Sequence, residues 1–266
     1  MKHLIEANLI DLFNEKITPV KLTIKDSKIM SIIETQASYN SYILPGFIDA
    51  HIHIESSMLS PCEFARLALS HGSISALCDP HEIANVLGLE GVDFMINNAK
   101  QSPFKFYFGA SPCVPATSFE TSGARLGVEE IKTLLENKEI KFLSEVMNFP
   151  GVLSGDEELL QKMKLAQDKG LCIDGHAPGL LGDDLSRYID AGISTDHEAF
   201  TYEEGLEKVQ KGMKVLIREG SAAKNFEALH PLIEKHSDML MFCSDDRHPD
   251  DLAKEHINAL VKRALS

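Results

Sequence analysis

The chain has few cysteines, no paired cysteine motif and no long apolar segment. Its five cysteines include no Cys-x-x-Cys pair, which predicts reduced core thiols and a cytoplasmic protein. The chain opens without a charged and apolar leader, and no apolar run approaches the roughly 18 residues of a membrane span. We therefore expect neither secretion nor membrane insertion.

Basic residues are also in deficit. The sequence has 26 lysines and arginines against 40 aspartates and glutamates, which gives a net charge of −14. This charge repels a nucleic-acid backbone and an anionic membrane surface, so we expect neither as a partner. A neutral or cationic small molecule is the favoured ligand.

Two zinc motifs are incomplete. One class of nucleobase deaminases combines H-x-E with P-C-x-x-C. His53-Ile-Glu55 matches the first half, but neither Pro-Cys pair has the second cysteine. The metalloprotease motif H-E-x-x-H fails because Asn85 stands where the second histidine after His81 is required. Both classes are therefore excluded.

An apolar run ends in two histidines separated by one residue, His51 and His53. In an extended strand, residues two apart lie on the same face, so both imidazoles can reach one metal ion. Taken alone, the pair also fits a strand whose two polar residues face solvent. The residues that follow along the chain favour the metal site.

Strands and helices alternate along most of the chain. This alternation, with nearly continuous apolar strands, favours a parallel sheet covered by helices, and eight such units favour an α/β fold, a (β/α)8 TIM-like barrel. A hairpin pattern predicts a small β layer, a partial β-sandwich, over residues 1–41, with the barrel over residues 42–266. The predicted strands are Ile43–Ala50, Ser73–Asp79, Phe104–Gly109, Ile140–Val146, Leu171–Gly175, Ile193–Asp196, Lys214–Arg218 and Leu240–Ser244.

The predicted helices fill the intervals between these strands. Their length and amphipathic composition support the alternation. They are Cys62–Ser70, Ile83–Ala99, Val128–Asn137, Glu157–Lys169, Asp184–Ala191, Glu203–Lys211 and Ala222–His236.

Histidines and carboxylates fall at the carboxyl ends of the predicted strands, which meet at one mouth of such a barrel. Imidazole and carboxylate together suit zinc, iron or manganese. The set exceeds what one tetrahedral ion needs, so we expect two divalent ions bridged by Glu145, with a mononuclear site as the alternative. The predicted metal ligands are His51, His53, Glu145, His176, His197 and Asp245.

Other polar residues are expected around this mouth. Arg218 and Glu219, directly after the seventh strand, are candidates for contact with a substrate. Asp79 and His81 follow the second strand, whereas His256 lies beside a helical segment and is expected at the surface.

Longer phrases of the chain, from about residue 40 to its end, resemble the adenine deaminase family of the amidohydrolase superfamily. Members of that family are markedly longer, with an additional C-terminal region, so we expect a shortened relative or a fragment. The matching phrases are Pro45-Gly-Phe-Ile-Asp-Ala-His-Ile-His-Ile-Glu-Ser-Ser-Met58, Asp79-Pro-His-Glu-Ile-Ala-Asn-Val86, Asp174-Gly-His-Ala-Pro-Gly179, Arg218-Glu-Gly-Ser-Ala-Ala-Lys-Asn225 and Phe242-Cys-Ser-Asp-Asp-Arg-His-Pro-Asp-Asp-Leu252.

The resemblance implies hydrolysis of adenine to hypoxanthine and ammonia at a binuclear iron or manganese centre, with zinc as an alternative. It also implies that Glu145 takes the bridging place held by a carboxylated lysine in many amidohydrolases. By the same analogy, one ion is held by His51, His53 and Asp245. The other ion is held by His176 and His197.

The expected reaction is attack of metal-activated hydroxide on C6 of the purine. Asp245 would take the proton of the water, and Glu55 or His81 would carry a second proton. Asp246 would face the edge of the purine. The alternatives are another amidohydrolase acting on a cyclic amide or an amino-heterocycle, or a non-catalytic metal-binding relative. A homodimer that buries the edge of the β layer is a further hypothesis.

Overall fold

The computed structural model describes residues 2–117 and 119–266. Contacts along the chain divide it into two compact units, Met1–Gly46 and Phe47–Ser266. The boundary expected from the sequence, after residue 41, stays a prediction.

The first unit is a four-stranded sheet in the order β3-β2-β1-β4. Strands β1 (Lys2–Asp11), β2 (Lys16–Lys25) and β3 (Lys28–Glu34) are antiparallel neighbours, and β4 (Tyr42–Ile43) runs parallel to β1. The predicted strand Ile43–Ala50 was wrong at its start. The Pro45-Gly46 break ends the extended segment, so Ile43 pairs with Leu9 instead.

The second unit contains the barrel and its helices. The barrel begins at β5 (Phe47–His53), which includes both histidines of the H-x-H pair. The remaining strands are β6 (Ser73–Cys78), β7 (Lys105–Ala110), β8 (Ile140–Val146), β9 (Ile173–Gly175), β10 (Thr195–Asp196), β11 (Lys214–Arg218), β12 (Leu240–Cys243) and β13 (Asp245–Asp246).

Helices occupy the connections between these strands, as a barrel of this type requires. They are α1 (Pro61–Ser70), α2 (His81–Leu87), α3 (Leu89–Ala99), α4 (Val128–Glu136), α5 (Phe149–Ser154), α6 (Glu157–Asp168), α7 (Gly182–Asp190), α8 (Tyr202–Gln210), α9 (Phe226–Leu229), α10 (Ile233–His236), α11 (Pro249–Leu252) and α12 (Ile257–Ala264).

The parallel strands form a closed ring. Six strands lie in the order β13-β5-β6-β7-β8-β9, and three lie in the order β10-β11-β12. At one junction the Ser194 backbone N–H donates to the Ile173 carbonyl at 3.0 Å. At the other, β12 and β13 are consecutive segments separated by Ser244. The described residues therefore supply eight strand positions, and the predicted TIM-like barrel is confirmed.

Two predicted helices are divided in the structure. The segment Ile83–Ala99 is broken at Gly88, whose φ of 59° is left-handed and ends α2 before α3 begins. The segment Ala222–His236 contains only α9, a 3₁₀ turn and α10. Pro231 explains the second break, because proline has no backbone N–H to donate to the carbonyl four residues earlier.

Buried apolar side chains fill the space between the strands and the helices. Ile52, Leu143 and Ile173 on the strands are at most 1% exposed, and Leu185 and Tyr188 on α7 are equally buried. The Tyr188 hydroxyl accepts from the His176 backbone N–H at 3.1 Å and donates to the Val146 carbonyl at 3.0 Å. A core helix thus fixes the backbone at the mouth of the barrel. Among the described residues, no helix combines the length and apolarity needed to cross a bilayer.

Gly175 permits the close approach of β9 to β10, and its replacement provides a test of that contact. A Cβ at this position would collide with the Thr195 carbonyl oxygen and lie 2.7 Å from the Ile193 side chain. We expect Gly175→Ala to lower the free energy of unfolding by about 1–3 kcal/mol, as overpacking does. Urea denaturation measures this loss, and an unchanged midpoint would contradict the tight packing.

Candidate metal centre

The ends of different barrel strands bring the predicted ligands together. His51 and His53 end β5, Glu145 lies near the end of β8, and His176 and His197 directly follow β9 and β10. Asp245 begins β13 and pairs with Ile52 of β5. Because parallel strands point the same way around the barrel, residues far apart in the sequence become neighbours at one mouth.

Three ligand atoms form the first group. The Nε2 atoms of His51 and His53 are 3.1 Å apart. Asp245 Oδ1 lies 3.2 Å from His53 Nε2 and 3.6 Å from His51 Nε2. These side chains are buried, so their polar atoms face one another instead of solvent. Together they offer three ligands to one cation.

Glu145 stands between this group and a second one. Its Oε1 atom lies 3.2 Å from His53 Nε2 in the first group. Its Oε2 atom lies 2.7 Å from His176 Nδ1 and 3.4 Å from His197 Nε2. Each carboxylate oxygen thus faces a different set of imidazole nitrogens, which is the arrangement required of a carboxylate that bridges two ions.

The hydrogen bonds of His51 and His53 indicate that their facing nitrogens carry lone pairs. His51 Nδ1 contacts Asp174 Oδ2 at 2.8 Å, and His53 Nδ1 contacts the Asp79 carbonyl at 3.0 Å. Both partners accept, so in neutral rings both Nδ1 atoms donate and both Nε2 atoms hold lone pairs. Two lone pairs 3.1 Å apart repel one another. A cation placed between them would turn this repulsion into coordination, so the residues fit a metal ion.

The pKa shifts of His51 and Glu145 also indicate that the centre favours positive charge. Burial lowers the pKa of His51, but the carboxylates of Asp174 and Asp245 outweigh it and place that pKa well above its usual value. Burial raises the pKa of Glu145, but the surrounding imidazoles of His176, His197 and His53 hold it well below its usual range. The centre therefore keeps its carboxylates ionised and favours a cation among them.

A cleft opens above these ligands. It encloses about 290 Å³, at the small end of the range for small-molecule pockets. All of the predicted ligands except His51 line it, together with Glu82, Met147, Phe200 and Ala223. Its walls are therefore acidic and apolar in patches, which suits a small ligand with N–H donors.

Arg218 and Glu198 form a buried pair beside the first ligand group. The Arg218 guanidinium bonds both carboxylate oxygens of Glu198 and lies 2.7 Å from Asp245 Oδ2. It is only 2% exposed. Arg218 lines the cleft, and its donors bind two carboxylates of the protein, so its contact with a substrate stays a prediction. The sequence analysis assigned no role to Glu198. Its position directly after the predicted ligand His197 was the one indication that it would lie near the centre.

Glu219 lies away from the cleft. Its carboxylate accepts from the Phe226 backbone N–H at 3.3 Å and contacts Arg263 Nη1 at 3.0 Å. These bonds tie the loop after β11 to α9 and α12. The Glu219 carboxylate holds these elements together, and its contact with a substrate stays a prediction.

The remaining predicted residues lie at different depths. His81 lines the cleft, with Nδ1 3.4 Å from both Asp79 Oδ2 and Glu145 Oε1. Asp246 also lines it and accepts from the Ser56 hydroxyl at 2.5 Å. Glu55 does not line the cleft, and its carboxylate accepts from the Ile83 backbone N–H at 3.2 Å. Burial raises the pKa of Glu55 to about 7.

The chain is similar in sequence to known proteins over nearly its whole length. A family profile described as "Amidohydrolase family" matches residues 42–265. An adenine deaminase of Sulfurovum sp. (strain NBC37-1) is 63% identical over 261 residues, covering 98% of this chain and 49% of that protein. An adenine deaminase of Salinibacter ruber (strain DSM 13855 / M31) is 52% identical over 262 residues, covering 98% and 48%. The chain thus spans about half the length of the curated relatives it matches.

Solved structures agree with the barrel. A crystal structure of D-hydantoinase has a TM-score of 0.61 at 13% identity, covering 92% of this chain and 68% of that one. A 5-methylcytosine deaminase from Klebsiella pneumoniae, liganded with 5-fluorocytosine, has a TM-score of 0.60 at 14% identity, covering 100% and 79%. At such low identity these similarities support the fold alone.

Asp174 provides a test of the metal fit. Its carboxylate holds His51 Nδ1 at 2.8 Å, and this bond keeps the lone pair of Nε2 directed at the centre. We expect Asp174→Asn to weaken Mn²⁺ binding about 10- to 100-fold, as the loss of a partner behind a ligand does. Isothermal titration calorimetry measures this change. Asp190→Asn, on the exposed end of α7, is the control, and unchanged affinity in Asp174→Asn would contradict the assigned role.

Proposed function

The chain belongs to the amidohydrolase family, and on that basis we propose that it hydrolyses adenine to hypoxanthine and ammonia at the mouth of its barrel. The position of Glu145 between two groups of imidazole nitrogens is the observation that most strongly supports metal-dependent hydrolysis. The similarity to proteins named adenine deaminase, at 63% identity over 98% of this chain, supports adenine as the substrate.

Two divalent ions would be held by the two ligand groups. His51, His53 and Asp245 would hold the first ion, His176 and His197 the second, and Glu145 would contribute one oxygen to each. Such ions lower the pKa of a bound water from 15.7 towards about 7. Manganese or iron as the metal, a cytoplasmic location and a homodimer stay predictions.

We propose that Asp245 accepts the proton of the attacking water. Its Oδ2 atom is held by Arg218 at 2.7 Å, and its Oδ1 atom faces His51 and His53. The bond from Arg218 fixes the orientation of the carboxylate before substrate binds. A fixed base next to the reacting water gains from geometry as well as from basicity.

The two protons of the water end on a ring nitrogen and on the leaving amine, so a carrier besides Asp245 must deliver a proton. We favour His81 over Glu55 for this step, because His81 lines the cleft whereas Glu55 does not and accepts from the Ile83 backbone N–H. Among the described residues, His81 Nδ1 has no hydrogen-bond partner and faces the carboxylates of Asp79 and Glu145. We assign His81 as the proton carrier, with Glu55 kept as the alternative.

The acidic residues of the cleft suit the N–H groups of adenine. Glu82 and Asp246 both line the cleft and lie within reach of the Ser56 hydroxyl, at 3.4 and 2.5 Å. Carboxylates accept hydrogen bonds from ring N–H and amino groups. We propose that Asp246 faces the edge of the purine and selects bases that present donors there.

Replacement of Asp245 by Asn tests the assigned base. The amide keeps an oxygen that can bind the metal, but it cannot accept the proton of the water. We expect kcat to fall by about 10²- to 10⁴-fold while much of the metal remains bound. Steady-state kinetics with elemental analysis of the same sample measures both quantities. Full activity in this variant would refute the role.

Substrate and metal dependence are tested together. We expect ammonia release from adenine by the metal-loaded chain, loss of this activity with a chelator, and its return with Mn²⁺. The assay uses a panel of purines, pyrimidines and cyclic amides. If another compound is turned over faster than adenine, that compound is the better substrate and the proposal for adenine fails. If the fully metal-loaded protein is inactive on every compound, the chain is a non-catalytic metal-binding relative.

A further inference from the structure

A lysine is fully buried on α8, in a helix whose amphipathic sequence gives no sign of it. The Lys208 ammonium is 0% exposed and has three acceptors. They are the Ala177 carbonyl at 2.8 Å, Asp196 Oδ2 at 2.8 Å and Glu204 Oε1 at 2.7 Å. An ammonium group has three donors, so every one of them is satisfied within the protein.

The two carboxylates that bind Lys208 also hold backbone groups of two loops. Asp196 accepts from the N–H groups of Ala177 at 2.8 Å and Glu198 at 3.0 Å. Glu204 accepts from the N–H groups of Gly179 at 2.7 Å and Phe200 at 3.1 Å. We call Lys208, Asp196 and Glu204 the lysine clamp.

The two loops held by the clamp begin at the ligands of the second group. Ala177 directly follows His176, and Glu198 directly follows His197. The clamp therefore fixes the peptide groups on the carboxyl side of both histidines and holds the two loops together. A shift of either loop would change the separation of the two imidazoles.

We propose that Lys208 is a positioning residue that sets the distance between His176 and His197 and thereby the affinity for the second metal ion. This inference rests on the two-ion site proposed above. The side chains of the first group have other supports, namely Asp174 for His51, the Asp79 carbonyl for His53 and Arg218 for Asp245. Loss of the clamp should therefore affect the second ion more than the first.

The chain offers a closely matched control in Lys162. This lysine is 6% exposed on α6 and bonds the Pro112 carbonyl at 2.9 Å. It also pairs with Glu158, four residues earlier, at 2.9 Å, just as Lys208 pairs with Glu204. Pro112 lies in the loop after β7, which contributes none of the proposed ligands. Both lysines are buried and pair with a carboxylate on their own helix, and Glu158 also pairs with Arg125, but only Lys208 holds the ligand loops.

The experiment compares Mn²⁺ binding to the wild-type chain, Lys208→Met and Lys162→Met by equilibrium dialysis with elemental analysis. We expect two ions in the wild type and in Lys162→Met. In Lys208→Met we expect the dissociation constant of the second ion to rise about 10- to 100-fold, with the first ion retained. The EPR spectrum provides an independent signature. In Lys208→Met the spectrum of an exchange-coupled Mn²⁺ pair should be replaced by the spectrum of an isolated Mn²⁺ ion.

Glu204→Gln keeps the proposal testable if Lys208→Met does not fold. The amide has one acceptor oxygen, so the clamp loses a backbone bond and a charge while Lys208 keeps Asp196. We expect the second ion to weaken in the same direction by a smaller factor. Wild-type affinity for both ions in the folded clamp variants would overturn the inference alone. Fewer than two ions in the wild type would overturn the two-ion site and the inference with it.

Discussion

Repulsion among electron-rich atoms at the barrel mouth is the constraint on which the site depends. Two imidazole lone pairs face each other at 3.1 Å, and Glu145 approaches one of them to 3.2 Å. Because these groups are buried, solvent does little to screen the interaction. Positive charge must therefore enter the centre, and the surrounding residues must hold the ligands in place until it does.

The residues that hold the ligands in position come from different elements and have one feature in common. Asp174 holds His51, Arg218 holds Asp245, and Lys208 holds the loops after His176 and His197. Each support is a buried charged group that bonds to other groups of the protein. Buried ion pairs add little net stability over apolar packing, because desolvation offsets the attraction between the charges. Their place around the ligands is better explained by orientation than by stability.

The sequence predicts the ligands more readily than their supports, for a physical reason. Parallel strands end at one mouth, so His51, Glu145 and Asp245 could be placed together from strand positions alone. Lys208 gives no such signal, because an amphipathic helix normally turns a lysine towards solvent, and the helix pattern does not show that Asp196 and Glu204 are buried with it. His256 is similar: it was expected at the surface, yet it is 1% exposed and bonded to Asp49 and Ser73.

The backbone at Asp245 shows how these supports act together. Its φ of 52° is left-handed, a conformation that costs a non-glycine residue about 1–2 kcal/mol. The preceding Ser244 donates its N–H to Asp49 Oδ1 at 3.0 Å, and Asp49 is held in turn by His256 at 2.8 Å. On the other side, Arg218 fixes the carboxylate of Asp245 at 2.7 Å. Bonds on both sides of Asp245 offset the cost of its strained backbone. Buried polar partners thus hold its carboxylate towards the histidines.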